Sequence, residues 1–389
     1  MIIFLFILMS IVALTPLLEA RRIYSKTISE FVQEYPQTKW TLCTQNYGFD
    51  RAVFPLYQEY SQSCFPSKGY HTDISVIEVP NGVGEIVIIG DLGDHQHIFV
   101  NDVFVQETMI KNYGPFGGNQ YIERDALKSV QKVTGRVAIL NHLCPHIYGH
   151  WIFDILGQLA LLEIYNIQYD YLWIPYDAKF MKETLEIWGI DSAKIIPMSL
   201  DCAIAADTVI VPMSVGQNDV LIHYHVNYYP DFVLKYVSDK LLSDIKKLDQ
   251  IKNFSKKIFI SRKNGYRSVS NEDEVFALFE PFGFERYELT SLSIEEQITL
   301  FNNATTVISF VGSGSTNIIF CRPETHYIEI LQSVVDATFF FISDTFKLKY
   351  SCINATTYND LFWGHPCGAG RELPLNVVQN FIKDHYFEL

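Results

Sequence analysis

The feature that most constrains this chain is the stretch from Lys257 to Ile330, where short apolar runs and amphipathic segments alternate regularly. Lys257 to Ser261 reads as a strand, Asn271 to Phe279 as a helix and Arg286 to Leu289 as a strand. Ile294 to Phe301 follows as a helix, Thr306 to Phe310 as a strand, Ser315 to Cys321 as a helix start and Tyr327 to Ile330 as a strand. A βαβαβα order predicts a parallel sheet with helices on both faces, and such sheets bind ligands at the carboxyl ends of their strands.

The residues before this unit read differently. From Thr27 to Glu123 the runs are β-branched or aromatic and separated by Gly, Asn and Asp, which predicts mainly strands. Residues 137–141 read as a short buried strand, and a helix is expected from about His146. Trp151, Ile152, Ile155, Leu156, Leu159 and Leu162 then recur at helical spacing. Tyr171 to Ile174 is a predicted strand, Lys179 to Trp188 a helix ended by Gly189, and Lys194 to Pro197 and Thr208 to Val211 are further strands. Asp231 to Lys247 is a long charged amphipathic segment placed to bridge two domains.

With 389 residues, 48% of them hydrophobic, the chain has material for two cores. A formal charge of −14 argues against a nucleic-acid partner, which needs clustered Lys and Arg. Ile2 to Leu18 is uncharged and mostly apolar, and Ala20 is followed by Arg21 and Arg22. Residues 1–20 are thus expected to be a signal peptide or a signal anchor, with the body in the secretory pathway, in the Golgi or endoplasmic reticulum lumen or secreted. Any membrane contact would run through this segment alone. Asn253, Asn303 and Asn354 each open an Asn-x-Ser/Thr acceptor sequence for N-glycosylation. Seven cysteines show no dense framework; Cys43–Cys64 and Cys352–Cys367 are the pairings suggested by proximity.

Three blocks carry candidate chemistry. Gly312-Ser313-Gly314-Ser315 joins a β-branched strand to a helix, where glycines and free N–H groups suit a phosphate, although an ordinary strand-to-helix loop reads the same way. Arg262 and Arg267 follow another strand and suit bidentate contacts to a diphosphate, or a solvated surface run. Asn271 opens the next helix and is also a plain N-cap. In the third block, a helix from His146 would stack His146, His150 and Asp154 on one face, as a metal site or as a general base oriented by a carboxylate. No Asp-x-Asp pair occurs in the chain, which favours charge neutralisation by arginine and a helix dipole without a metal ion.

In this order the blocks resemble the family 61 glycosyltransferases, related to plant xylosyltransferases and protein O-linked N-acetylglucosaminyltransferases. The resemblance rests on His150-Trp151 with Asp154, on Glu183 to Ile190, and on Ser261-Arg262, Arg267 and Asn271-Glu272. It continues through Gly283-Phe284, Ser291-Leu292, Glu296-Gln297, Phe301, Ala304, the turn with Gly312, Gly314, Asn317 and Phe320, and Tyr327 to Ile330. It covers about residues 140–350. The resemblance implies a GT-B architecture of two Rossmann-like domains facing a cleft, with a β-rich N-terminal part. The expected division is 27–228 as an acceptor-side domain, 229–345 as a nucleotide-sugar-binding domain and 346–389 as a tail packing back on the N-terminal domain. It implies inverting, metal-independent transfer of GlcNAc, xylose or arabinose from a UDP-sugar, a substrate rather than a cofactor, to a glycan or glycoprotein hydroxyl. His150 would be the base with Asp154 orienting it, Asp154 itself being the rival base. Arg262, Arg267, Asn271, Gly312, Ser313, Gly314, Ser315 and Asn317 would hold the donor, with Glu329 on the ribose. One departure is Val311, where the family carries His before the first glycine of the turn. A non-catalytic sugar-nucleotide- or glycan-binding protein on the same fold and a metal-dependent hydrolase using His146, His150 and Asp154 are the alternatives.

Overall fold

The computed structural model describes residues 21–45, 48–50, 68–70, 73–88, 96–101, 103–105, 121–124, 129–142, 144–221, 224–243, 253–263, 265, 268–332, 335–355 and 372–385. The chain is a mixed α/β structure around two large sheets. The C-terminal sheet has five strands, all parallel: Glu285–Tyr287, Lys257–Ile260, Thr306–Phe310, His326–Leu331 and Lys349–Asn354, in that spatial order. Numbered along the chain, this is order 2-1-3-4-5, a doubly wound sheet whose switch point lies between Lys257–Ile260 and Thr306–Phe310.

Its three central strands, Lys257–Ile260, Thr306–Phe310 and His326–Leu331, are buried on both faces, as the middle of a parallel sheet requires, while the two edge strands are more open. Ile258 and Ile260 point to one core and Phe259, between them, to another. The N-terminal sheet has eleven strands. Ile195–Pro197, Tyr171–Ile174, Ser129–Ile139 and Cys202–Pro212 run parallel in that order, and Ile74–Pro80 and Val83–Ile88 join Cys202–Pro212 antiparallel. The expected strand at residues 137–141 is the end of a much longer one, and Thr208 to Val211 likewise lies inside Cys202–Pro212.

One hydrophobic cluster spans both sheets, joining Ala138, Trp151 and Leu172 to Ile258, Val307 and Phe320. Separate clusters cover the outer face of each sheet. The helix Asp231–Leu242 lies against Leu156–Ile164 and Lys179–Trp188 on one side and the 3-10 helix Ser313–Phe320 on the other. Its Ser238 hydroxyl donates to the Ile319 carbonyl at 2.7 Å. It therefore joins the two sheets, as its amphipathic pattern suggested.

The described C-terminal helix, Leu375–Asp384, packs on the helix Glu272–Phe279 and the strand Lys349–Asn354. It puts Val378 and Phe381 into the C-terminal sheet's outer cluster rather than returning to the N-terminal part as expected. The reason is local: Lys349–Asn354 is the last strand of that sheet, and its apolar outer face needs a cover. Cys43 and Cys352 carry free thiols, and Cys64 and Cys367, their expected partners, lie outside the described residues. Residues 1–20 lie outside as well, and among the described residues no helix is long and apolar enough to cross a membrane. Asn253 is exposed, whereas Asn303 and Asn354 are half-buried at the ends of a helix and a strand.

Candidate functional site

The switch point of the C-terminal sheet carries the first half of the site. Arg262 follows the strand Lys257–Ile260, and Gly312 follows its neighbour Thr306–Phe310. The Arg262 guanidinium lies directly over Gly312, where an added Cβ would fall 1.6 Å from Nη1. Gly312 also has φ +152°, so both backbone and space demand glycine there. Beside them opens a cleft of ≈ 440 Å³ whose walls include Tyr148, Phe180, Arg262, Lys263, Ser313 and Gly314. Two cations and a glycine turn face apolar and aromatic walls, a combination that suits an anionic group attached to a flat or apolar one.

The second half follows the carboxyl end of Ser129–Ile139, the central parallel strand of the other sheet. After a turn the chain enters a helix at Tyr148–His150, continues as a π-helix over Trp151–Ile155 and becomes α-helical again at Leu156–Ile164. π-helical turns of this kind recur at functional sites. His150 Nδ1 and Asp154 Oδ2 are 2.9 Å apart, with Asp154 1% exposed. The same oxygen accepts the Tyr229 hydroxyl at 3.2 Å and lies 3.7 Å from His142 Nε2. Gly216 leaves room for the carboxylate, since an added Cβ would fall 2.8 Å from Asp154 Oδ1. A hydrogen bond from Nδ1–H to Asp154 would leave Nε2 of that tautomer as the ring's acceptor.

The helix expected from His146 begins two residues later, and this changes the membership of the cluster. His146 is exposed and 3.8 Å from Asp177, whereas His142 joins His150 and Asp154. Among the described residues these three form the group with metal-ligating atoms close together, within 4.8 Å. Metals take imidazole along in-plane lone pairs at about 2.0–2.1 Å. The His142 and His150 rings are stacked, 4.1 Å between centroids and 23° between planes, whereas two imidazoles that share an ion must both place it in their ring planes.

The halves are tied together by side chains. Tyr148 donates to Asn317 Oδ1 at 2.8 Å, and Asn317 Nδ2 donates to Gln297 Oε1 at 3.1 Å. Gln297 in turn holds the Leu289 and Leu292 carbonyls of the cleft wall. Burial, with Glu183 nearby, pushes the Tyr148 hydroxyl well above the ordinary phenol range, so it stays a donor. Trp151 donates to Thr184 at 2.7 Å, fixing the helix Lys179–Trp188 that lines the cleft.

Several residues expected at the donor do other work. Asn317 is fully buried, its amide engaged by Tyr148 and Gln297. The Ser315 hydroxyl is buried against Ser309 and the Phe310 carbonyl. Asn271 does not cap its helix; its amide exchanges hydrogen bonds with the backbone of Leu373, 102 residues on. Glu329 is 0% exposed and accepts from the Tyr350 hydroxyl at 2.8 Å, because its strand runs on to Leu331 and keeps it inside the sheet. Arg267 lies outside the described residues, while Arg262, Gly312, Ser313 and Gly314 sit at the cleft. Val311 is buried, with both backbone polar groups bound to Gln332. His142, Tyr229, Gly216 and Glu272 were given no role by sequence. His142 at least stood inside the His-rich block, but Gly216 and Tyr229 carry no local signal.

Arg262, Lys263 and the Gly312 turn thus stand at the switch point of one sheet, and the His150–Asp154 pair beyond a strand end of the other. Residues 148–328 match the family model Glycosyltransferase 61, and this stretch is a family 61 glycosyltransferase domain. The match begins at Tyr148 and takes in His150, Asp154, Arg262 and the Gly312 turn. No curated protein matches the chain.

Proposed function

We propose that this glycosyltransferase moves a sugar from a UDP-sugar to a hydroxyl of a glycan or glycoprotein, with inversion and without a metal ion, in the lumen of the secretory pathway. The observation that carries the reading is the Arg262 guanidinium over Gly312 at the switch point, within reach of the cleft. Arg262 and Lys263 would take the donor diphosphate, and the apolar cleft wall its base and sugar. His150 Nε2 would accept the acceptor's hydroxyl proton while Asp154 holds Nδ1–H. The acceptor oxygen then bonds to the anomeric carbon from the side opposite UDP, and the bond from that carbon to the diphosphate breaks. The electron pair leaves on UDP, whose charge Arg262 balances.

His150 is preferred to Asp154 as base because Asp154 is 1% exposed and already serves three neighbours. The stacked rings of His142 and His150 weigh against the metal-hydrolase alternative. Two sheets flanking a cleft are consistent with a GT-B-like division at about residue 229, although the shared core makes the two halves close partners. An N-terminal signal peptide or anchor and glycosylation at Asn253, Asn303 and Asn354 complete the reading; Asn253 is the most accessible of the three.

The test is a screen of the protein against UDP-GlcNAc, UDP-xylose, UDP-arabinose and UDP-galactose, with and without EDTA. Binding is followed by calorimetry and turnover as released UDP with glycan acceptors present. Chelator-insensitive turnover of one donor is the expected result. Binding with no turnover on any acceptor would favour a sugar-nucleotide-binding protein. Loss of activity in EDTA, restored by one divalent ion, would overturn metal independence.

A further inference from the structure

We infer that Glu272 is a positioning residue that aims Arg262 at the donor diphosphate; this rests on the donor reading above. Glu272 is 1% exposed and opens the helix Glu272–Phe279, where a negative charge is favoured by the helix N-terminus. Both its oxygens serve the loop after the strand Lys257–Ile260. Oε1 accepts the Ser261 hydroxyl at 2.5 Å, and Oε2 accepts the Arg262 backbone N–H at 2.8 Å. Arg286 Nη1 stands 4.0 Å from Oε1, so the buried charge has a distant partner as well.

The next residue clamps the same loop from outside. Asp273 binds Lys263 Nζ at 2.6 Å and Arg286 Nη1 at 2.5 Å, and these two bonds lower its carboxyl below the ordinary range. Consecutive residues of one helical turn thus hold Ser261, Arg262 and Lys263 in place. The loop then closes on itself, Gly265 N–H donating to the Arg262 carbonyl at 2.9 Å. The backbone of Arg262 is held at both its N–H and its carbonyl, and its side chain runs across Gly312, where the would-be Cβ meets Nη1, Cζ and Nη2 at 1.6, 2.4 and 2.6 Å. Glu272 thus bonds the main chain of Arg262 and the side chain of Ser261, both of which line the cleft.

UDP binding by calorimetry, with the full chain as it stands, tests this without requiring a known sugar or acceptor. Arg262→Ala is expected to weaken UDP about 100-fold. Glu272→Ala should weaken it about 10-fold, because a misaimed guanidinium loses its bidentate geometry. Glu272→Gln should stay within about 3-fold, since its amide oxygen accepts from Arg262 N–H while its NH₂ donates to Ser261. The double variant Glu272→Ala with Arg262→Ala should bind no more weakly than Arg262→Ala alone, the mark of two residues acting as one unit. If Glu272→Ala does not fold, Glu272→Asp, charged but too short to reach both partners, carries the same expectation.

Wild-type UDP affinity in folded Glu272→Ala or Glu272→Asp overturns the inference. So does a full additional loss in the double variant, which would place Glu272's effect elsewhere. Wild-type affinity in Arg262→Ala overturns the donor assignment itself, and that result is read from the single variant, apart from Glu272.

Discussion

The two sheets share a core yet supply the site in different proportions. In the C-terminal sheet all five strands are parallel, so their carboxyl ends open on one side, and two neighbouring ends deliver Arg262 and Gly312. In the N-terminal sheet four of the eleven strands form a parallel set; the carboxyl end of Ser129–Ile139 leads into His142, His150 and Asp154, while Tyr171–Ile174 and Cys202–Pro212 lead to the supporting Phe180 and Gly216. The antiparallel strands around Ile74–Pro80 add area and core without adding a described site residue. The difference teaches that chemistry follows parallel strand ends, where successive connections return to the same side. On the proposed function it would also divide the work, one sheet handling the anion and the other the proton.

The largest effect should come from breaking that division on the proton side. His150→Ala is expected to lower turnover about 10³-fold, within the usual range for a general base, with UDP affinity unchanged. Rates of UDP release and calorimetric UDP binding on the same preparation check it. A parallel loss of UDP affinity would mean that the two sheets do not divide the work.

The anion side gives the next effect. Gly312→Ala places a methyl group where the Arg262 guanidinium lies, 1.6 Å from Nη1, so the side chain must leave the turn. UDP affinity should fall about 100-fold, as for loss of Arg262 itself, while a saturating donor restores most of the turnover. If kcat collapses and the Kd for UDP holds, the turn serves the base rather than the donor.

Much of the C-terminal sheet was legible because its strands and helices alternate with clean boundaries. Thr306–Phe310 and Tyr171–Ile174 fall where their β-branched and aromatic runs put them, and Gly189 ends its helix with φ +84°. The site was legible as residue types but not as partners. Asn271 and Asn317 look from the sequence like an N-cap and a turn residue, and their amides are spent on groups 102 and 169 residues away. Glu329 looked like a strand-end carboxylate, because a strand whose both faces are buried shows no alternation to mark where it stops. His146 was misplaced by two residues of helix start, and that slip exchanged an exposed histidine for the buried His142. Local pattern reports the element; which side chains meet is decided by strand order and by crossings that no local window contains.

The smallest effect tests the seam between the halves rather than the chemistry. Glu163, on the helix Leu156–Ile164, accepts from Trp188 Nε1, the Tyr236 hydroxyl and Lys240 Nζ at 2.8, 2.7 and 2.9 Å, linking three helices. Burial pushes its carboxyl up, but the three donors outweigh this and hold it below the ordinary range. A carboxyl lowered on folding contributes stability above its unfolded pKa and loses it as pH falls through the folded one. Glu163→Gln, unable to accept at its amide nitrogen, should therefore cost about 1–2 kcal/mol at pH 7 in urea unfolding. The gap to wild type should narrow below about pH 4, where the wild-type carboxyl takes up its proton. UDP affinity should not move, because these helices support the cleft wall from behind. A variant that kept its stability but lost UDP binding would mean that the seam governs the donor side, and the contrast between the two sheets would have to be redrawn as one coupled unit.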